Sequence, residues 1–181
     1  MKQLYFVRHG ESEFNLANKF AGTSDTVLTE KGHKQAKQAG KDIQQQGMSF
    51  DIIVSSPLKR AQHTARHIAS ATGYPRAKIE LNPLFQERHY GSLEGMNAKT
   101  VLGARHFFDE SAIDDHEEVE TLQDFQQRAT RALEYLRSLD HETVLVVAHG
   151  AFGRALYRAI NDLPITERDI RYKNAELVKF I

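Results

Sequence analysis

Two apolar runs in this chain share the same ending. Residues 4–10 read LYFVRHG and residues 144–150 read VLVVAHG. Each run is near-continuous rather than alternating, the pattern of a strand covered on both faces, and such strands belong to parallel sheets flanked by helices. Open α/β sheets bind ligands beyond the carboxyl ends of their strands. A buried strand that stops at His-Gly therefore constrains the fold class and the place of a site together.

The remaining pattern agrees. Spacing predicts strands over 3–8, 51–56, 143–148 and 174–180, with a short one near 78–81. Helices are predicted over 30–46, opened by Thr29 and closed by Gly47, and from Pro57 to 72, ended by Gly73. A long helix over 121–139 carries Leu122, Phe125, Ala129, Leu133 and Leu136 on one face, and another runs over 151–161. Strands alternating with helices imply an α/β three-layer sandwich with a mixed, mostly parallel central sheet. A length of 181 residues suits a single domain over 1–181. Residues 84–120 show no clean period, so 96–120 reads as an irregular cap or lid. Its acidic run, seven carboxylates within 109–120, is a solvated loop or a mobile lid, with Phe107 and Phe108 beside it to anchor the lid or line a pocket.

Composition excludes several functions. The formal net charge is zero, which argues against nucleic acid or an anionic membrane as partner. The chain has no cysteine, so disulfides and thiolate chemistry are out. No apolar stretch approaches a membrane span, and MKQLYFV is too short for a signal peptide, so a cytoplasmic location is expected.

The chemistry gathers at three predicted strand ends. Arg8, His9 and Gly10 close one, His149 and Gly150 close another, and SSPLKRA puts Arg60 in the first turn of the helix after a third. Two arginines and two histidines on one point suit a compact dianion, and arginine matches phosphate bidentately. Glycine after each histidine lets ligand and backbone approach closely. The residues after Gly10 and Gly150, Glu11 and Ser12 in one case and Ala151 in the other, can offer backbone N–H groups to an anion, with Gly150 also expected to border the substrate. A histidine among cations is held neutral and nucleophilic, able to accept a phosphoryl group. The leaving oxygen needs an acid. LFQERHYGSLEG over 84–95 offers Glu87 and Glu94, and charge clustering alone does not choose between them. His63 and His67 lie i, i+4 on a predicted helix with no third ligand spaced to join them, so an exposed helix face is expected there rather than a metal site.

RHGESEFN at 8–15, LTEKGHKQA at 29–37, SSPLKRAQHTA at 55–65, ERHYGSLEG at 87–95 and AHG at 148–150 together resemble the histidine phosphatase superfamily, in its phosphoglycerate mutase-like branch. The motifs stand in family order and span almost the whole chain. The resemblance implies that His9 is the phosphorylated nucleophile, that Arg8, Arg60 and His149 hold the phosphate, and that Glu87 rather than Glu94 donates the proton. It also implies that Asn15 contacts the phosphate and that Gly22, Thr23 and Tyr90 border a small phosphorylated substrate. No metal is implied, and monomer and homodimer both stay open.

The same resemblance covers phosphatases and mutases. ERHYG and FNLANKFAG look like the glycolytic mutases. Against that, the segment after ERHYG is short and lacks the paired arginines that grip a substrate carboxylate in those enzymes. Its acidic run would repel a second anionic group on the substrate. Ala151 stands where the mutases have Asn, and YKNAELVKF resembles a phosphatase ending. The expected function is a metal-independent phosphatase acting on a small phosphomonoester, without a cofactor. The alternatives are a phosphoglycerate mutase, which would need 2,3-bisphosphoglycerate, and a phosphate-binding regulatory module without turnover.

Overall fold

A computed structural model describes residues 1–106, 111–166 and 171–181, with only the backbone course given for 104–106. Phe107, Phe108 and the first two acidic residues of the 109–120 run lie outside the described residues.

Among the described residues five strands form one sheet: β1 (Gln3–Arg8), β2 (Ile52–Ser55), β3 (Glu80–Leu81), β4 (Thr143–Ala148) and β5 (Leu177–Lys179). Their spatial order is β3-β2-β4-β1-β5. The β1–β4, β2–β4 and β2–β3 pairs are parallel, and only β5 runs antiparallel, against β1. The sheet is thus mixed and mostly parallel, as the apolar runs imply. The helices are α1 (Glu13–Leu16), α2 (Glu30–Gln45), α3 (Lys59–Thr72), α4 (Ala98–His106), α5 (Leu122–Ser138) and α6 (Gly150–Asn161).

Alternation along β4 shows why its run is apolar on both sides. Val144 and Val146 join the core under α5 and α6, with Phe125, Leu133, Leu136, Phe152 and Leu156. Leu145 and Val147 point the other way, into the core under α2 and α3, with Ile43, Ala65 and Ile68. Because side chains alternate across a strand, both parities must be apolar when both faces are covered.

Helix ends follow their local chemistry. Thr29 caps α2 by accepting from the N–H of Gly32, and Thr121 caps α5 by accepting from that of Asp124. Gly73 ends α3 in the left-handed conformation, with φ 76°. Two expectations need correction. Helix α3 starts at Lys59, not Pro57, because Leu58 is still extended. The 96–120 segment is not irregular throughout: α4 occupies part of it, broken at Gly103 with φ 61° and ψ 175°. Phe20, Leu93, Ile113 and Val119 form a small separate core there, with Tyr90, Ala98, Val101 and Leu102 against it.

Candidate active site

The register of the sheet builds the site. Arg8 pairs with Ala148 across β1 and β4, so His9 and His149 emerge side by side one residue further on. The His9 N–H donates to the Ala148 carbonyl at 2.9 Å, and the two rings lie 5.2 Å apart at 62°. Both are buried. Beside them β2 ends at Ser55, and the Ser56 hydroxyl meets His149 Nε2 at 2.7 Å.

Hydrogen bonding fixes the state of His9. Its Nδ1 lies 2.6 Å from the Gly10 carbonyl oxygen, which can only accept, so Nδ1 carries the proton and the lone pair sits on Nε2. Burial first, then the charges of Arg60 and Arg8, hold His9 well below the ordinary histidine value of 6.5. His149 is shifted the same way by burial, Arg60, His9 and Arg8. Both imidazoles are neutral at physiological pH. The expectation from charge alone named only the lesser cause.

The arginines are held without carboxylate partners. Arg60 is fully buried, and its two terminal nitrogens donate at 2.7 Å to the carbonyls of Ser24 and Gly22. Arg8 donates at 3.0 Å to the Tyr172 carbonyl. Among the described residues neither forms an ion pair, and the Nε of each is buried with no partner, as is Nδ1 of His149. Burial pushes Arg60 down to about 10, against the nearby carboxylates Glu87, Glu94 and Asp25. These cationic and polar groups border a cavity of about 240 Å³.

Glu87 and Glu94, undecided by sequence, differ in what they touch. Glu87 lines the cavity. Its Oε2 accepts from the N–H of Ala151 at 3.1 Å, and its Oε1 from those of Phe152 at 3.0 Å and Arg88 at 3.1 Å. Glu94 is absent from the wall. It accepts from the N–H and hydroxyl of Thr23 and from the N–H groups of Ser24 and Tyr90. Those bonds outweigh its burial and lower its pKa. The loop it holds needs Gly22, whose φ is +48° and whose missing Cβ would sit 2.0 Å from Glu94 Oε1.

Of the residues singled out in the sequence, Arg8, His9, Asn15, Gly22, Arg60, Glu87, Tyr90, Gly150 and Ala151 all line the cavity, and His149 lies against His9. His149 itself is not on the wall, and three others do not line it either. Glu11 pairs with Lys31 and accepts from Thr29, Ser12 is the buried N-cap of α1, and Thr23 serves Glu94. The expected backbone anion site is also corrected. The N–H groups of Gly10, Glu11 and Ser12 go to Thr64, Gln35 and Asn15, and those of Ala151 and Phe152 go to Glu87. Gly10 approaches the chain's own backbone rather than a ligand: a Cβ there would lie 2.4 Å from the Gly32 carbonyl oxygen. Asn15 has a capping bond through Oδ1 as well as a place on the wall.

Several residues at the site carried no signal. Asn174 donates to the His9 carbonyl at 2.8 Å, and Arg154, Lys19, Phe20 and Leu102 also line the cavity. His63 and His67 are half-buried rather than exposed, because His33 of α2 joins them, with Nδ1 2.9 Å from His67 Nε2. Among the described residues no group of three or more His, Asp or Glu is placed to hold a metal ion. No described helix is long and apolar enough to cross a membrane.

A neutral imidazole at a parallel-sheet edge, flanked by two unpaired guanidiniums and a carboxyl group, defines an enzyme acting on phosphate groups. The family follows: residues 4–181 match the model of the histidine phosphatase superfamily (branch 1), and the chain belongs to it. A 2,3-bisphosphoglycerate-dependent phosphoglycerate mutase of Brucella canis is 38% identical over 172 residues, covering 90% of this chain and 82% of that protein. The protein of the same description from Mesorhizobium japonicum is 39% identical over 170 residues, covering 88% and 82%. Among solved structures, a mycobacterial glucosyl-3-phosphoglycerate phosphatase bound to VO3 superposes with a TM-score of 0.85 at 26% identity, covering 99% of this chain and 92% of the other. A phosphoserine phosphatase of Entamoeba histolytica with 3-phosphoglyceric acid gives 0.81 at 26% identity, covering 99% and 90%.

Proposed function

We propose that the protein is a metal-independent phosphatase that hydrolyses a small phosphomonoester through phospho-His9. The carrying observation is a pair of arginines, Arg60 fully buried and Arg8 partly, with no carboxylate partner among the described residues, beside a histidine whose lone pair is on Nε2. In the first step Nε2 attacks phosphorus, the ester P–O bond breaks, and the protonated Glu87 carboxyl gives its proton to the leaving oxygen. In the second, Glu87 takes a proton from water, the water oxygen attacks phosphorus, and the P–N bond breaks to release phosphate and restore His9. Arg8, Arg60 and His149 stabilise charge on the equatorial oxygens throughout. Several of the relatives are named for phosphorylated acids and one solved structure for alpha-ribazole-5'-P, which supports a small phosphomonoester as substrate.

The sequence likeness to mutases favours one second reading, transfer between 3- and 2-phosphoglycerate with 2,3-bisphosphoglycerate as cofactor. One ground against it weakens. Of the described acidic residues in 111–120, Asp114 and Glu120 are paired with Arg88 and Arg128, and none lines the cavity. The other stands: the described part of the wall beyond Tyr90 offers Ala98 and Leu102, with no paired arginines.

The test is hydrolysis of 4-nitrophenyl phosphate in EDTA by wild type and His9→Ala. Turnover in the wild type that falls by about 10⁴-fold or more in the variant supports the reading, since loss of a covalent nucleophile has effects of that order. Equal turnover in both overturns the phosphohistidine step. With 3-phosphoglycerate and a trace of 2,3-bisphosphoglycerate, 2-phosphoglycerate as the main product would establish the mutase instead. Inertness in both assays would leave a binding module.

A further inference from the structure

The two histidines at the sheet edge are both buried and neutral, yet their ring nitrogens meet different partners. His9 faces a group that can only accept. The Gly10 carbonyl lies 2.6 Å from Nδ1, which puts the proton there and leaves a lone pair on Nε2. His149 faces a hydroxyl, which can donate or accept. Ser56 Oγ lies 2.7 Å from His149 Nε2, and Nδ1 is buried with no partner among the described residues. Ser56 is itself fully buried, and the sheet sets its place. Its N–H donates to the Val147 carbonyl at 3.0 Å, one residue beyond the Ser55–Val147 pair of β2 and β4. Its hydroxyl oxygen already accepts from the Leu58 N–H at 3.3 Å.

The proton of that hydroxyl decides the tautomer of His149. Among the described residues Ser56 Oγ has two hydrogen-bond partners, the Leu58 N–H and His149 Nε2, and only the second can accept. If Nε2 carried the ring proton it would donate to Ser56. The serine proton would then be buried without an acceptor, and Nδ1 would turn a lone pair on a bound anion. If Ser56 donates, Nε2 accepts and the one proton of the neutral ring sits on Nδ1. Only this second arrangement leaves no buried polar group unmatched once an anion oxygen meets Nδ1. We propose that Ser56 is a positioning residue, whose hydroxyl donates to His149 Nε2 and thereby fixes His149 as an Nδ1–H donor to the phosphoryl group. The inference rests on the reading that His149 holds that group, and deepens it. Both rings are then Nδ1–H tautomers, held so by opposite partners, a carbonyl that accepts and a hydroxyl that donates. Their free atoms are opposite as well. His9 offers a lone pair that attacks phosphorus, and His149 offers an N–H that stabilises oxygen, with no free lone pair to compete as nucleophile or base.

Long-range proton–nitrogen NMR of the isotope-labelled protein at neutral pH reads the tautomer directly, with His149 assigned by the signal missing from His149→Gln. The wild type should show Nδ1 protonated and Nε2 bare, and added inorganic phosphate should shift the Nδ1 resonance. A proton on Nε2 in the wild type, or an Nδ1 resonance indifferent to phosphate, overturns the inference, and neither readout needs turnover. Ser56→Ala should show a mixture of both tautomers. Its kcat/KM for 4-nitrophenyl phosphate should fall about 10- to 100-fold, the scale of one hydrogen bond to a charged group. Ser56→Thr keeps the hydroxyl and should recover the single tautomer and most of the rate. A rate loss in Ser56→Ala with the tautomer unchanged would make Ser56 a packing residue and overturn the inference. So would a mixed tautomer at full rate. If the added methyl of Ser56→Thr unfolds the protein, the wild-type spectrum and Ser56→Ala still decide. If the wild type releases no phosphate from 4-nitrophenyl phosphate, the phosphatase reading fails by itself. The wild-type tautomer and its response to inorganic phosphate then decide alone: a shifted Nδ1–H sustains the donor, and any other result removes it.

Discussion

Arg60 and Arg88 are both fully buried, yet their surroundings differ in kind. Arg88 has a carboxylate partner. It forms an ion pair with Asp114 and donates at 2.7 Å to the Glu120 carbonyl, while Arg128 beside it pairs with Glu120. Arg60 has two backbone carbonyls and no carboxylate, with Nε buried and unpartnered. Burying a charge is costly unless it is paired. That the cost is borne at Arg60 and avoided at Arg88 supports the proposal that Arg60 is left for a ligand. The contrast distinguishes the proposed phosphate clamp from a scaffold without reference to any motif.

The largest expected effect follows from Arg60. Arg60→Met should lower kcat/KM for a phosphomonoester by about 10³-fold, the range seen when one transition-state donor or arginine is removed. Its thermal midpoint should stay within a few degrees of wild type, because an uncompensated buried charge leaves with it. Arg88→Met should do the reverse. Breaking a buried pair costs about 3 kcal/mol, which lowers the midpoint by roughly 10 °C in a domain of this size, while the folded fraction keeps its turnover within a fewfold. Melting curves and initial rates on both variants decide it. If Arg60→Met unfolds the protein, or Arg88→Met abolishes activity with stability intact, the distinction between clamp and scaffold collapses.

Arg128 tests the boundary between the two regions. Its guanidinium donates to the carbonyls of Leu84, Gln86 and Glu87 at 3.0, 2.8 and 3.1 Å, and to both oxygens of Glu120. Every carbonyl in that set belongs to the turn carrying Glu87, so on the proposed mechanism Arg128 is a positioning residue for Glu87. Lysine keeps the charge but cannot span the fork. Arg128→Lys should lower kcat about tenfold with KM nearly unchanged, an effect of the size expected when a proton donor is misplaced. An equal rise in KM would put Arg128 in substrate binding instead.

The sequence made the clamp legible and the scaffold opaque. His-Gly at two apolar run ends located β1 and β4, and the parallel register then forced His9 and His149 together. Arg60 was readable only through its motif, since nothing local distinguishes a buried first-turn arginine from an exposed one. Glu87 and Glu94 look alike in sequence. They separate only through contacts about seventy residues away, to the start of α6 in one case and to Thr23 and Ser24 in the other. Asn174 was invisible because its reach to His9 depends on the antiparallel pairing of β5 with β1. Helix α4 escaped notice because it is short and broken at Gly103, so its apolar residues never complete a periodic stripe.

The smallest expected effect refines the comparison from the side of the histidines. His9 and His149 both lie well below 6.5, with burial the first cause and Arg60 the second for each. An unfolded chain takes up protons at these residues near 6.5, whereas the folded one refuses them until a lower pH. The unfolded state therefore binds more protons in that window, and stability falls as pH drops from 6.5 towards the folded values. Imidazole NMR should show both rings neutral and unchanging from pH 7.5 down past 6.5. In Arg60→Met both should titrate higher than in wild type, since a like charge is gone, yet still below 6.5, since burial remains. Arg128→Lys keeps its charge and should leave His149 where it was. Rings that rise to 6.5 in Arg60→Met would mean that the unpaired arginine, rather than the dry sheet edge, keeps the nucleophile neutral. Rings that do not move would mean that a buried cation without a carboxylate partner is screened after all, and Arg60 would then differ from Arg88 in its contacts but not in its field.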